Sequence, residues 1–427
     1  MSIIPAKRFL PVVFLLLLAT GAFSQLRIVS PYSRFGIGDL ADNNNAWNLS
    51  VGQLGIGMRS PFHVNYANPA SYTAFDSLSF VFEGGINSEF VTLRNETQSV
   101  SRGYGSLGSL LFGMPITRWW RTSIGLVPYS DVGYNMSNYT TDTYEGKVER
   151  LYSGSGGINR LYWGNGVKLF KGLSIGANFS YLFGSMDREA AVQFPDSLYA
   201  LNFRESYHIT LSDLWFNLGA QYTFRTKSGL DLNFGAIFSP SRNLTARTDM
   251  LSTTYLLSTS GIESQRDTLV NRSGSKGKIN IPAMAGAGVS IEKADYWMAG
   301  IDFKWQNWEK FLAFGKSDSL VNSWQVNLGG EIIPDINKYN NYLARMRYRL
   351  GFNFSKTYLR LRGQDLNEYG LTFGLGFPIR GMKTMLNVSG QYGVRGTTSN
   401  QLIRESYFRL VVGFSIYERW FVKRKYF

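Results

Sequence analysis

The chain has 427 residues, with 44 Lys and Arg against 30 Asp and Glu, a formal charge of +14, two histidines and no cysteine. Without thiols, disulfides, thiol catalysis, cysteine-ligated metals and an acylated lipoprotein cysteine are all excluded. The cations are scattered between apolar segments rather than gathered in one basic helix or patch, so a nucleic-acid partner is not expected.

At the N-terminus Lys7 and Arg8 precede an apolar run from Phe9 to Leu18, and Ala22-Phe23-Ser24 places small residues where a signal peptidase needs them. This predicts a secretory signal over 1–24 with cleavage before Gln25. A spanning helix would need about twenty apolar residues, and the run breaks at Thr20-Gly21. No other run is long enough, so the exported chain is destined for periplasm, outer membrane or medium. Its cations then face anionic lipid headgroups and lipopolysaccharide, or line a lumen that attracts acids.

The stretch Pro31 to Asp76 is rich in Gly, Asn and Ser and carries no sustained period. It cannot build a core alone, so residues 25–77 are expected as a hatch or plug inside whatever follows. From Leu78 onward bulky apolar residues alternate with small or polar ones, the mark of strands. In Tyr407 to Tyr417, Phe408, Leu410, Val412, Phe414 and Ile416 share one face, while Arg409, Gly413 and Ser415 share the other.

A soluble sandwich would alternate in the same way. Segments of ten or more residues, aromatics at segment ends such as Trp119-Trp120, Trp297, Trp305, Trp308 and Trp420, and connections that alternate short and long favour a membrane barrel. Strands are expected at 78–94, 103–114, 120–139, 157–170, 173–185, 205–226, 229–246, 278–292, 295–310, 321–333, 343–360, 366–378, 382–396 and 404–417. The fold class is therefore all-β: a transmembrane antiparallel β-barrel of about fourteen strands over 78–418, with the plug in its lumen. Lys171-Gly172, Lys227-Ser228 and Gly381 read as tight turns, and 140–156, 186–204, 247–277 and 311–320 as outer loops. A basic, aromatic tail closes the chain over 419–427.

Several segments resemble the long-chain fatty-acid transporters of the outer membrane, the FadL or OmpP1 family. Asn65-Tyr66-Ala67-Asn68-Pro69-Ala70 ends the plug, and family members carry an Asn-Pro-Ala there. The segment Ile124-Gly125-Leu126-Val127-Pro128-Tyr129-Ser130-Asp131-Val132-Gly133 is similar to the one that carries the family's inward kink. Gly164 to Phe170, a Lys-Gly turn and Leu173-Ser174-Ile175-Gly176-Ala177 form a third match. The opening Ser30 to Asp39 and the tail Trp420 to Lys425 resemble outer-membrane proteins of the Bacteroidota. The resemblance implies a hatch whose gating residues include Asn65, Asn68, Pro69 and Ala70. Arg34, Arg59 and His63 depart from the transporters' plug; the first two join the candidate gate.

Pro128 cannot donate to a ladder, so a proline in mid-strand implies an edge, a bulge or a break. Gly125 and Gly133 flank it and permit a bend, with Asp131 between them. Two readings stand: a lateral opening from lumen to membrane, or a bulge at the rim. Arg345, Arg347 and Arg349 recur at every second position and are expected as one lumen-facing row, since arginine facing mid-membrane lipid costs about 2–4 kcal/mol. The row either anchors the plug or meets an anionic ligand.

Catalysis finds no footing. His63 and His208 stand in no zinc-pair or triad spacing, and Gly154, Gly156 and Gly157, like Gly274 with Gly277-Lys278, lack the phosphate-loop patterns and read as glycines of loops and strand starts. No cofactor or metal is implied. The leading expectation is passive uptake of a hydrophobic or amphipathic, fatty-acid-like molecule past the hatch and out through the side opening. The alternative is a non-transporting accessory barrel of an outer-membrane secretion or assembly complex. The lumen discriminates: a continuous apolar pocket supports uptake, and arginine–acid networks that fill it support the accessory reading.

Overall fold

The structure, a computed structural model, describes residues 28–41, 45–142, 146–197, 199–258, 261–379 and 384–419. The expected signal peptide, the turn at Gly381 and the tail from Trp420 lie outside these residues. Among the described residues seventeen strands join one sheet: β1 (Asp39–Leu40), β2 (Ser79–Arg94), β3 (Ser99–Pro115), β4 (Trp120–Asp142), β5 (Gly146–Phe170), β6 (Leu173–Gln193), β7 (Asn202–Arg225), β8 (Asp231–Ser239), β9 (Arg242–Leu257), β10 (Glu263–Ile281), β11 (Met284–Lys293), β12 (Trp297–Gln306), β13 (Ser323–Ile332), β14 (Arg347–Leu361), β15 (Gln364–Pro378), β16 (Met385–Arg395) and β17 (Arg404–Arg419).

Strand β1 belongs to the N-terminal segment; the rest make the wall. β7 pairs with β8 over Leu218–Arg225 and with β9 over Asn202–Leu211, so β8 and β9 are one wall member interrupted at Pro240. β10 and β11 are likewise one member, interrupted at Pro282. Each proline lacks the N–H a ladder needs, which is why the member breaks there. β17 closes on β2 from Arg404↔Arg94 to Arg419↔Ser79, giving a closed antiparallel barrel of fourteen members.

Alternation along the wall is as the sequence implies. On β17, Phe408 and Phe414 are exposed, while Tyr407, Val411, Gly413, Ser415 and Tyr417 are buried. The outward side chains form an apolar band for lipid, with Trp119, Phe170, Phe224 and Trp297 exposed near the short-turn end, where aromatic girdles sit. Lys171-Gly172 and Lys227-Ser228 are turns at that end, which short periplasmic connections assign to the periplasm.

Three expected loops are corrected. Most of 140–156, 186–204 and 247–277 is strand, because β4 runs to Asp142, β5 starts at Gly146, β6 reaches Gln193, and β9 with β10 cover Arg242–Leu257 and Glu263–Ile281. Beyond the bilayer both faces of a strand meet water, so the apolar alternation that marks a strand is lost; β10 is exposed on both faces through most of its outer part. Within 311–320 only isolated bridges occur, at Ala313.

The N-terminal segment touches β4 to β7 and β14 to β17, so it lies within the ring. Its helix α1 (Ala46–Ser50) is capped by Asn45, whose side chain accepts the Asn48 N–H at 2.8 Å, and all five helical residues are buried. A second turn, Pro69–Ala74, starts with Asn68 as cap and proline at its first position, a pairing that suits helix starts. Towards the outer end, Ile37 and Tyr32 of the segment pack with Val132, Ile158, Leu182, Leu211, Trp215, Leu244, Trp308 and Tyr358 in one apolar cluster.

Candidate functional site at the seam of plug and wall

β3 and β4 pair only from Leu110↔Leu126 to Pro115↔Arg121. Above Leu126 the ladder stops, although β2 still pairs with β3 as far as Arg94↔Ser99. A bulge lies between Pro128 and Ser130 on the β5 side of β4, and beyond it Val132, Gly133 and Tyr134 are buried in succession. A strand with both faces buried has left the lipid surface, so β4 leans into the lumen here.

From Tyr129 to Gly133, backbone groups that β4 no longer offers to β3 are taken by the N-terminal segment. Asp39 and Leu40 pair with Asp131 and Ser130, the Ala41 N–H donates to Tyr129 O at 3.0 Å, and the Ser30 N–H donates to Gly133 O at 2.8 Å. The Gly133 N–H donates to Ser33 Oγ at 3.0 Å. Glycine is required at that point, since a Cβ on Gly133 would overlap the carbonyl of Ile28. Gly156 and Gly157 of β5 hold positive φ beside this bend, and a Cβ on Gly157 would press on Ser130 O. Gly154, Gly274 and Gly277 also lie within strands, so the glycines placed in the outer loops 140–156 and 247–277 are corrected to strand positions, while Gly157 keeps the strand position expected of it.

Lower down, the Asn-Pro-Ala turn is fitted against β5, β6 and β7. Asn68 Nδ2 donates to Ile56 O at 2.9 Å and to Ala220 O at 3.2 Å, while its Oδ1 accepts the Ala70 N–H at 3.1 Å. A Cβ on Gly176 would crowd Pro69, and one on Gly219 would overlap Asn68, so wall glycines let the turn approach. Asn65 Nδ2 donates to Met58 O at 3.1 Å, which ties the segment to itself. On β12, the buried Asp302 carboxylate accepts the N–H groups of Gly55, Ile56 and Gly57 at 2.7, 2.8 and 3.2 Å.

Charged groups fill the opposite side. Arg395 of β16 binds Asp39 at 2.7 and 2.8 Å, Glu405 at 2.7 Å and Ser30 Oγ at 2.9 Å. Arg409 binds Glu89 at 2.7 Å, and the Tyr104 hydroxyl donates to the same carboxylate at 2.6 Å. His63 stacks on Trp47 with centroids 4.6 Å apart and faces Glu83 at 2.6 Å; burial, the dominant influence, pulls its pKa down against the pull of Glu83.

The expected arginine row is split. Arg347 and Arg349 reach Glu331 of β13 at 2.6 Å each, and Arg349 also donates to Asn387 at 2.7 Å. Their nearest anion is thus a wall acid and not the plug. Arg345 is not on the strand at all; it ends the short helix α2 (Tyr342–Arg345), near the Tyr339 ring. Among the gate candidates, Arg34 lies over the Tyr152 ring at 4.4 Å. Arg59 donates to Thr73 Oγ1 at 2.7 Å and Gln221 Oε1 at 3.3 Å, and burial pushes its pKa down to about 10.

Several cavities remain, and those around Leu40 and Gln325 adjoin one another. A cavity of about 100 Å³ lies among Leu40, Gln53, Ile56, Trp215 and Asp302; another of about 260 Å³ opens near the short-turn end among Trp47, Arg59, Phe62, His63 and Tyr296. Their linings share no residue, and the Asp302 clamp on Gly55 to Gly57 lies against the first. His208 lies exposed between two polar side chains, with Asp187 2.6 Å from Nδ1 and the Thr210 hydroxyl 3.3 Å from Nε2.

The profile of the BamG family matches residues 6–427. The chain belongs to the BamG family. No protein of curated function matches its sequence. The fold is similar to the Ralstonia pickettii toluene transporter TbuX at 13% identity, covering 88% of this chain and 98% of that one, with a TM-score of 0.60. A Pseudomonas aeruginosa FadL homologue matches at 12%, covering 90% and 99%, with a TM-score of 0.57. The Pseudomonas putida toluene transporter TodX matches at 16%, covering 90% and 100%, with a TM-score of 0.56. The resemblance seen in the sequence thus has its counterpart in the barrel fold these outer-membrane proteins share, while the family carries a different name.

In this BamG chain the sequence motifs lie where plug and wall meet: Asn68, Pro69 and Ala70 at the β5–β7 side, and Pro128, Asp131 and Gly133 at the bend. Gly125 lies below it, in the last paired rungs of β3 and β4. Residues that sequence reasoning missed are Asp39, Asp302, Glu331, Arg395 and Glu405. Each is a lone charge in an ordinary strand or turn; only inward parity on a lipid-facing strand could have singled out the wall members.

Proposed function

We propose that this barrel is a non-transporting accessory subunit of an outer-membrane secretion or assembly complex, its lumen occupied by its own N-terminal segment. The observation that carries the reading is the lumen: buried arginine–acid networks around Arg395, Arg409 and Glu331, and an apolar cluster packed on itself at the outer end. Moving the segment would separate Asp39 from Arg395, and removing one partner from such a buried pair costs about 3–5 kcal/mol, which suits a fixed filling better than a hatch.

A second reading, passive uptake of a hydrophobic small molecule, is favoured by the interrupted β3–β4 ladder and by the transport function named for TbuX and TodX. Uptake of a monoaromatic or fatty-acid-like solute into liposomes holding the purified barrel separates the two. The accessory reading expects the rate of empty liposomes; a rate that rises with barrel density and falls when Leu40 is replaced by Trp would reverse the order of the two readings.

A further inference from the structure

Among the described residues, the strand β3 has a ladder on one side only between Gly103 and Ser109. On that side Phe90↔Gly103 and Ile86↔Leu107 continue the pairing with β2. On the other, β4 has turned inward and given its backbone to the N-terminal segment. The level of this free edge within the membrane is set by its neighbours. Phe90, Leu107 and Ile86 are 61%, 59% and 58% exposed, and Phe408 and Tyr392 continue the same outward rank through β17 and β16. These are lipid-facing side chains, so the edge lies in the hydrocarbon. Open edges do not persist there, because each unmatched N–H or C=O loses its water without gaining a partner.

The outer edge of β10 from Glu263 to Lys276 makes a contrast. It also pairs on one side only, with β9, but its side chains are exposed and polar on both faces, where water serves the backbone. Of these two edges, it is the β3 edge that demands an occupant. Its outward positions Ser101, Gly103 and Gly105 are small, with Leu107 the large side chain that follows them, and a Cβ on Gly105 would meet nothing nearer than 3.5 Å. A second backbone can therefore come close without displacing side chains. Lipid tails offer neither donors nor acceptors to this edge, whereas an extended chain offers both in the right repeat.

We propose that the edge Gly103 to Ser109 of β3 docks an extended segment of a different outer-membrane protein by strand addition, closing the wall that β4 leaves open. This rests on the accessory reading and names where its partner binds.

The test uses the full chain in its own membrane. Because the protein has no cysteine, Ser101→Cys and Gly105→Cys each place one thiol beside the edge, and Ile301→Cys on β12 places one on the lipid face of another wall strand. Each is labelled with a short photo-crosslinker, and the linked peptide is read by mass spectrometry. Amide exchange of Gly103 to Ser109 is then compared between the gently extracted assembly and the separated barrel. The expected result is one protein linked through one extended segment at positions 101 and 105 but not at 301, with edge amides that exchange about tenfold faster once the barrel is separated. Adducts to lipid only, links between two copies of this chain, or equal exchange in the two states would overturn the proposal. If a partner co-purifies yet links elsewhere, the edge assignment fails and the accessory reading stands. If no partner co-purifies, the accessory reading fails first.

Discussion

The N-terminal segment is held in two unlike ways. Against β4 it uses backbone: Ser30, Asp39, Leu40 and Ala41 pair with Gly133 to Tyr129 as a strand would. Against β16, β17 and β2 it uses charge, with Arg395 bridging Asp39 and Glu405 and with His63 beside Glu83. A backbone seam tolerates changes of side chain except where a glycine must admit a carbonyl. A charged seam depends on every member, because losing one leaves another buried without a counter-charge.

The difference sets an order of effects. Arg395→Ala should be the most damaging, since Asp39 and Glu405 lose their shared cation; a loss of about 3–5 kcal/mol is expected, read as the denaturant midpoint of the refoldable barrel. If it unfolds like the wild type, the charged seam does not hold the segment. Gly133→Ala comes next: its methyl would overlap the Ile28 carbonyl, and overpacking of this kind costs about 1–3 kcal/mol. Here the midpoint should fall while the barrel's circular dichroism is kept, and protease should gain access to the segment first.

Acid should act on the charged seam and spare the backbone seam. His63 has its pKa lowered by burial, so below about pH 6.5 the unfolded chain binds a proton that the folded one resists, and stability falls at up to about 1.4 kcal/mol per pH unit. The sign follows from the depressed folded value: the contribution is whole above the unfolded pKa and is lost on acidification. His63→Gln should flatten the curve between pH 6.5 and the folded pKa, and an unchanged slope would show that the drop comes from another group.

Pro128→Val should do least, below about 1 kcal/mol. The bend in β4 is held by its bonds to Ser30, Asp39 and Ala41 and by Gly156 and Gly157 opposite, so restoring one N–H does not rebuild the β3 ladder. If amide exchange in the variant shows new protection through Ser99 to Ser109, the proline alone made the gap.

These contrasts also explain what could be read in advance. Within the bilayer one face of each strand meets lipid and the other meets the lumen, so alternation such as that from Phe408 to Ile416 was legible to within a few residues. Beyond it water lies on both sides, and Glu263 to Lys276 looked like a loop. The Asn-Pro-Ala turn and Pro128 were visible because proline and asparagine constrain backbone locally. The clamp by Asp302 and the bridge from Arg395 to Asp39 were not, because each joins residues hundreds of positions apart and neither leaves a local pattern. The arginine row shows the limit from the other side: period two placed Arg347 and Arg349 together, but Glu331, on the neighbouring strand, decides what they bind.

The most direct measurement is native mass spectrometry of the protein extracted gently from its own outer membrane. A filled barrel that serves as an accessory subunit should appear with a stoichiometric protein partner and no retained small molecule. A lone barrel carrying a hydrophobic ligand would contradict the account and restore the transporter reading.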